Sequence, residues 1–428
     1  MPAWVNWSRT QRCEPAAVER PASRAELAAV LERATGPVRV AGAGHSFTAG
    51  VLTPGTLLSL QRMNRLLDAD PASGLVRVEA GISLHRLSRE LHLRGLGLPN
   101  LGDIDVQSLA GALATGTHGT GARLPNLSAQ VEGIELVLGD GSERVLDGGD
   151  LLRAARIGLG ALGVVAAVTL RCVPSFMLRA VDAPARLEDV LASIDERAAG
   201  ADHFEFWTFP HSPLALTRTN TRTDLPRDMP GRAREWVEDV LVDNHMFALL
   251  NRIGRRRPGL IPTLNRAASR AASRRERVDW SFRVFASPRL LRFTEMEYAI
   301  PREHAADAVR GARAILERHP VAIPIELRLV AGDDALLSPA YRRDSAYVAV
   351  HVFEGLPWEA PFREVEALMS GYGGRPHWGK WSFLDADELA PRYPEWEAFQ
   401  AARAELDPDG RFENEWVGRV LGRRRSIR

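Results

Sequence analysis

The sequence predicts an α+β chain in two parts, an N-terminal ligand-binding domain over residues 1–174 and a C-terminal α+β domain over residues 175–428, whose tail can return to the first. Three observations carry this. Two glycine-rich clusters fall within the first 122 residues, each flanked by short strand and helix patterns. After Pro174 the pattern changes to longer alternating strands and longer helices. Finally, 428 residues with 45% hydrophobic and 25% charged side chains suffice for two or three globular domains. Formal charge is +1, from 55 basic and 54 acidic residues, so neither nucleic acid nor an anionic membrane surface is an expected partner. Two cysteines, Cys13 and Cys172, cannot build a disulfide framework or a cysteine zinc site. The most apolar uncharged stretch, Ile157 to Leu170, is too short to cross a bilayer and reads as a buried strand. The opening MPAWVNWSRTQRC has no apolar core after a basic start, and a cytoplasmic enzyme is expected.

In the first half, Pro21 to Gly36 reads as a helix, with Ser23 and Glu26 in capping-box spacing and Leu27, Val30 and Leu31 on one face. Val38 to Ala41 is a strand running into AGAGHSFTAG, residues 41–50. Phe47 stands where a G-x-G-x-x-G fingerprint needs glycine, and TLLSL follows as a strand, so a Rossmann dinucleotide site fails on context. What remains is a tight Gly42/Gly44 loop whose N–H groups can wrap a pyrophosphate, with His45 and Ser46 at its tip. Leu75 to Ala80 is a strand, Ser83 to Arg94 a helix ended by Gly95, VEGIELVLGDGSERVL a hairpin turning at Gly139-Asp140-Gly141, and Val164 to Cys172 the buried strand that follows it. LAGALATGTHGTGA, residues 109–122, adds Gly111, Gly116, Gly119 and Gly121. Such a density of permissive residues suits close backbone approach to a flat or phosphorylated ligand, and two such loops suggest a large nucleotide.

In the second half, HFEFWTFP (203–210), TEMEYAIP (294–301), PIELRLVA (324–331) and YVAVHVF (347–353) alternate as strands, with helices over Glu303 to His319 and about Pro361 to Gly371. One sheet with helices on a single face is expected. Arg222 to Arg277 is arginine-rich, with Trp236, Val237, Val240 and Leu241 at helical spacing, and reads as a solvated helical cover. Strand periodicity puts Glu326 and Arg328 on one face, where the carboxylate can accept from a hydroxyl and the guanidinium can stabilise negative charge. His351 shares a face with Tyr347 and Phe353, as a core histidine or a substrate contact. Only one of the 55 basic residues is lysine, Lys380, inside RPHWGKW beside His377. Its compact ammonium marks a place where a point charge is wanted. No H-E-x-x-H or matching carboxylate spacing accompanies the histidines, so no metal is expected.

VAGAGHSF, LATGTHGTG and LGALGVVAAVTL resemble the FAD-binding half of flavoproteins of the vanillyl-alcohol-oxidase type. That resemblance implies an FAD lined by Ala41, Gly42, Ala43, Gly44, His45, Ser46, Ser108, Gly111, Thr115, Gly116, Thr117, His118, Gly119 and Val164, with a covalent bond from His45 to the isoalloxazine 8α-methyl. RPHWGK, with WVNWSRTQRCEP, HFEFWTFPHS, FTEMEYAIP, the E-x-R of IELRLVAGDDALLSP and LDPDGRFEN, is similar to the sugar-1,4-lactone oxidases and dehydrogenases and their relatives the alditol oxidases. The arginine bias agrees with an actinobacterial source of high GC content. The likeness implies substrate binding by Ser108, Glu326, Arg328, His351 and Lys380, stabilisation of anionic flavin by Arg328, and oxidation of a sugar-1,4-lactone at C2 by hydride transfer to flavin N5, with O2, a cytochrome or a quinone as acceptor; the alternative is an alditol oxidase acting on the terminal hydroxyl of xylitol or sorbitol. A flavin-binding electron-transfer partner using the arginine-rich segment is the reading of another class.

Overall fold

A computed structural model describes residues 3–229, 247–287 and 290–423. Three short parallel strands begin the N-terminal half, Ala17–Glu19, Thr56–Leu58 and Val38–Val40, with Thr56–Leu58 in the middle. The helix Arg24–Arg33 joins the first to the third of these. Ser23 Oγ accepts from the Glu26 N–H at 3.2 Å, while the Glu26 carboxylate reaches back to the Ala22 N–H at 2.9 Å, one residue short of a reciprocal box. Its Leu27, Val30 and Leu31 are buried with Val38 and Leu58.

Beside this lies a five-stranded antiparallel sheet, in the order Glu143–Leu146, Val131–Val137, Val164–Arg171, Leu75–Glu79, Leu66–Asp70. The hairpin at 139–141 and the helix Leu84–His92 form where the pattern put them. Two expectations change. The strand expected over Val164 to Cys172 forms as Val164–Arg171, but the wider Ile157 to Leu170 stretch is not all strand: residues 157–163 turn, because Leu159, Gly160 and Gly163 adopt φ of 53°, 63° and 138°. The first part of the second glycine cluster is also no loop. Leu109–Ala114 is a short helix capped by Ser108, whose Oγ accepts from the Gly111 N–H at 3.4 Å, and it buries Leu109, Ala112 and Leu113.

The C-terminal half is built on one antiparallel sheet of eight strands, in the order Arg275–Trp280, Met177–Arg186, Leu214–Thr223, His203–Thr208, Ile325–Val330, Ser345–Phe353, Phe293–Pro301, Arg375–Pro376. Helices Ala305–Leu316 and Glu359–Gly371 bury Ala308, Val309, Ala312, Leu316, Phe362, Val365 and Met369 in the core that takes Met296, Tyr298, Ile300, Leu327, Val348 and Val350. These strand residues share one face, so the intervening residues form the other. That second face meets the N-terminal half. Gly121 N–H donates to Leu329 O at 2.7 Å, Ala331 N–H to Leu124 O at 3.0 Å, and Thr120 Oγ1 to Phe204 O at 2.5 Å. The arginine-rich span contributes helices Phe247–Arg256 and Ile261–Ala271; Trp236, Val237, Val240 and Leu241 lie outside the described residues. Among the described residues no helix is long and apolar enough to cross a membrane.

The chain's end returns to its start. Val38 N–H donates to Arg411 O at 2.8 Å, and the helix Trp396–Leu406 packs on Gly149–Arg156. Arg39 holds this junction: Nε donates to Gly50 O (2.6 Å), Nη1 to Gly160 O (2.8 Å) and Phe412 O (2.5 Å), and Nη2 to Leu159 O (2.9 Å). Burial pushes its pKa down to about 10, so it stays charged at neutral pH while its donors serve four carbonyls. Arg39→Met orphans those carbonyls and costs about 3 kcal/mol or more. A guanidinium-unfolding midpoint equal to that of the unsubstituted protein, at equal m, would refute this.

A second junction is sensitive to acid. His203 is buried with Nδ1 2.7 Å from Thr120 O, and burial pushes its pKa down to about 4 from 6.5. Above pH 6.5 it is neutral folded or unfolded and contributes nothing to the pH dependence. Between pH 6.5 and 4 the unfolded chain takes up a proton that the folded one refuses, so stability falls, by up to about 3 kcal/mol. The expected observation is that His203→Gln loses less stability than the unsubstituted protein between pH 7.5 and 4.5 in chemical unfolding; parallel losses sink the idea.

Candidate active site

A groove opens between the two glycine-rich loops of the N-terminal half. Ala41, Gly42, Ala43, Gly44, His45 and Ser46 form one wall and Ser108, Gly111 and Thr115 another. A Cβ on Gly42 would lie 2.3 Å from Ser108 Oγ, so the loop touches the helix cap only because position 42 has no side chain. Gly44 is left-handed at φ +73° and turns the chain so that His45 faces the groove. The floor comes from residues that the sequence reading placed inside a strand: Gly158, Leu159, Gly160, Leu162 and Gly163 of the turn, and Val165. Glycine at every second or third position of that stretch was the available signal. A groove with glycine-rich backbone walls fits a pyrophosphate, and the apolar side chains that complete it, among them Trp4, Leu60, Leu136 and Trp416, fit a flat ring system.

Not all expected residues line it. Val164 packs with Val137 and Ala166 in the core, and alternation turns Val165 to the groove instead. Gly116 is left-handed beside Ile157, Thr117 accepts from Gln107 Nε2 at 3.3 Å, and Gly119 lies against Asn100. These three hold the loop's shape. His118 reaches the other way, towards the large sheet.

That sheet's second face is a buried polar layer. The register sets Glu205 opposite Arg328, Glu326 opposite Ala349, and Glu295 opposite His351. Arg328 Nε donates to Glu205 at 3.0 Å, and its Nη2 stands 2.5 Å from Glu326 Oε1 and 3.4 Å from Asp103. Burial opposes the Arg328 charge, but Glu326, Asp103 and Glu205 outweigh it and hold the guanidinium protonated. Burial raises the Glu205 pKa, with Arg328 pulling the other way. The approach of Nη2 to Glu326 Oε1 lacks hydrogen-bond geometry, so this buried oxygen makes no hydrogen bond.

Lys380 donates its ammonium to Glu295 Oε2 and sits 5.3 Å from the centre of the Phe47 ring. His351 Nε2 is 3.4 Å from the other oxygen of Glu295, and its Nδ1 is 3.1 Å from Pro324 O. Both nitrogens of His351 are thus engaged. Burial works against the charge on Lys380 and on His351, yet Glu295 prevails and the pKa of each is raised. The Phe47 N–H donates to Gly379 O at 2.8 Å, which ties the loop of His45 to that of Lys380. Burial, with Lys380 adding to it, lowers the His45 pKa and keeps that imidazole neutral.

A third cluster joins His118, Glu297 and His377, with possible ligand atoms within 4.8 Å of one another. The Gly379 N–H donates to His377 Nδ1 at 3.0 Å, so the His377 hydrogen is on Nε2, and a nitrogen carrying hydrogen has no lone pair for a cation. His118 Nδ1 is 2.8 Å from Gly119 O and its Nε2 is 3.3 Å from Glu297. Burial pushes His377 down to about 3, whereas His118 overcomes burial to depress Glu297. Sequence reasoning missed Asp103, Glu205, Glu295 and Glu297. Two carboxylates two residues apart in the otherwise apolar FTEMEYAIP were the legible clue.

Residues 15–147 match the FAD-binding domain family and residues 168–420 the D-arabinono-1,4-lactone oxidase family. Over 98% of this chain and 99% of the relative, the sequence is 45% identical to the L-gulono-1,4-lactone dehydrogenase of Mycobacterium tuberculosis. It is 34% identical, over 98% and 99%, to an alditol oxidase of a Streptomyces species. The structure superposes on the cholesterol oxidase of B. sterolicum with a TM-score of 0.76 at 17% identity, covering 98% of this chain and 96% of that one, which establishes a shared fold. The chain belongs to the D-arabinono-1,4-lactone oxidase family, FAD-dependent oxidoreductases built on the fold of the vanillyl-alcohol-oxidase type.

Proposed function

We propose that the protein oxidises a sugar-1,4-lactone at C2, with FAD in the groove attached through His45. The observation that carries this is the buried Glu326 carboxylate, ion-paired with a fixed Arg328, on the sheet face where Glu295 holds Lys380 charged. Bound FAD would supply the two-electron acceptor for the hydrogen at C2. Glu326 accepts the hydroxyl hydrogen of the substrate and stands ready to take it as a proton. Lys380, held charged by Glu295, keeps two of its three N–H donors for the lactone oxygens. Arg328 places a positive charge that never deprotonates where electron density accumulates. Ser108 keeps its own hydroxyl hydrogen for a ligand while its oxygen caps the helix. His351 acts through Glu295, which it shares with Lys380, and so fixes the position of the lysine. Loss of the C2 hydrogen and the hydroxyl proton gives a 2-keto-lactone, which tautomerises to an ene-diol of the ascorbate type. The two electrons that FAD would accept there are expected to leave to O2, a cytochrome or a quinone.

Substrate class is read without reference to the acceptor by bleaching of the flavin band under anaerobic conditions. L-gulono-, L-galactono- or D-arabinono-1,4-lactone is expected to bleach it, xylitol and sorbitol not; bleaching by the polyols alone would assign an alditol oxidase. In the same assay Glu326→Gln and Lys380→Met are expected to lower kcat/KM on the order of 100-fold with FAD still bound. Full activity in both variants would remove them from the site.

A further inference from the structure

The N-terminal turn carries the WVNW motif; its Trp4 lines the groove, and the residues after it grip those around His45. The Trp7 N–H donates to Gly44 O at 2.8 Å, Asn6 Nδ2 to Ser46 O at 3.0 Å, and Gln11 Nε2 to Phe47 O at 3.2 Å. Three hydrogen bonds thus hold the carbonyls on either side of His45. The Trp7 indole stacks on the imidazole itself, ring centres 5.3 Å apart and planes inclined by 24°. His45 lines the groove, and Trp7, in contact with it, is not among the lining residues. The indole is in turn met edge-on by Phe47 at 6.4 Å and Phe293 at 5.3 Å. A histidine that merely lined a cofactor site would need no such support.

We infer that Trp7 is a positioning residue for covalent attachment of FAD to His45, setting the ring plane from which the imidazole nitrogen attacks. The inference rests on the covalent reading of His45 proposed above. In that step a ring nitrogen of His45 loses its N–H proton and bonds to the 8α carbon, which loses one hydrogen as a proton. The electron pair of that C–H bond and two protons pass to the isoalloxazine, which is reduced. O2 or a quinone then takes up the two electrons and two protons and restores the oxidised ring. An aligned nitrogen is favoured because the rotation that would misalign it is already frozen. The stack supplies that alignment.

The test uses full-length holoprotein from short expressions, denatured in acid, with flavin measured in the precipitate and in the supernatant. Trp7→Leu and Trp7→Met, apolar side chains without a ring, are expected to lower the ratio of attached to released flavin on the order of tenfold at unchanged total FAD. Trp7→Phe, which restores a stacking face, is expected to recover it. A ratio in the Leu or Met variant equal to that of the unsubstituted protein overturns the role of Trp7 and leaves the covalent reading intact. Release of all flavin from the unsubstituted protein overturns the covalent reading, and this inference with it.

Discussion

Five carboxylates, from Asp103, Glu205, Glu295, Glu297 and Glu326, stand on or against one largely buried sheet face, and their pairing is the constraint from which the rest follows. A carboxylate of this kind survives burial only with a partner of opposite charge and hydrogen bonds to its oxygens. Arg328 serves three of them, Lys380 and His351 share Glu295, and His118 with His377 flanks Glu297. The partners come from four regions of the chain. Arg328 and His351 belong to the sheet, His118 to the second glycine-rich loop, and His377 with Lys380 to the loop after Arg375–Pro376. Pairing the charges therefore fixes where the two halves of the molecule meet. The gain is in arrangement more than in stability, because the desolvation of so many ions offsets most of their attraction.

The same logic governs the cofactor groove. Its walls are backbone, and backbone turns hold a shape only where their carbonyls find donors. Arg39 supplies these to Gly50, Leu159 and Gly160, all three on the groove, and to Phe412 of the returning C-terminal segment. One guanidinium thus converts a C-terminal contact into rigidity of the groove's wall and floor. Asn414 extends the junction by donating to the carbonyls of Ala49, Gly50 and Leu52 at 2.8 to 3.3 Å.

Much of this was legible in the sequence, and the exceptions share a cause. Glu326 and Arg328 were visible because two charges at period two in an apolar strand define a face. Glu295 and Glu297 make the same pattern, but a strand read as half-buried hides the fact that both its faces are covered, so its carboxylates passed for solvent. The strands Met177–Arg186, Leu214–Thr223 and Arg275–Trp280 were missed because charged residues, and threonine in the second, break up their apolar alternation, and their partners are far away in sequence. Loop direction was beyond reach. Thr115 and His118 stand three residues apart in one glycine-rich run, yet one lines the groove and the other pairs with Glu297 across the sheet. Likewise Val164 and Val165 exchange roles through a one-residue choice of register, which pairing with distant strands decides.

Of the 55 basic residues 54 are arginine, and the geometry around Lys380 accounts for the one lysine. Its Nζ must meet one oxygen of Glu295 while His351 takes the other, with the Phe47 ring 5.3 Å away on the side of the His45 loop. A guanidinium's planar fork prefers both oxygens of a carboxylate at once, and would compete with His351 for the second. An ammonium takes one oxygen as a point charge and leaves the other. It also has two further donors directed at tetrahedral angles rather than spread in a plane, which suits a small ligand approaching from the groove. The sharing of Glu295 is thus what forbids arginine at position 380.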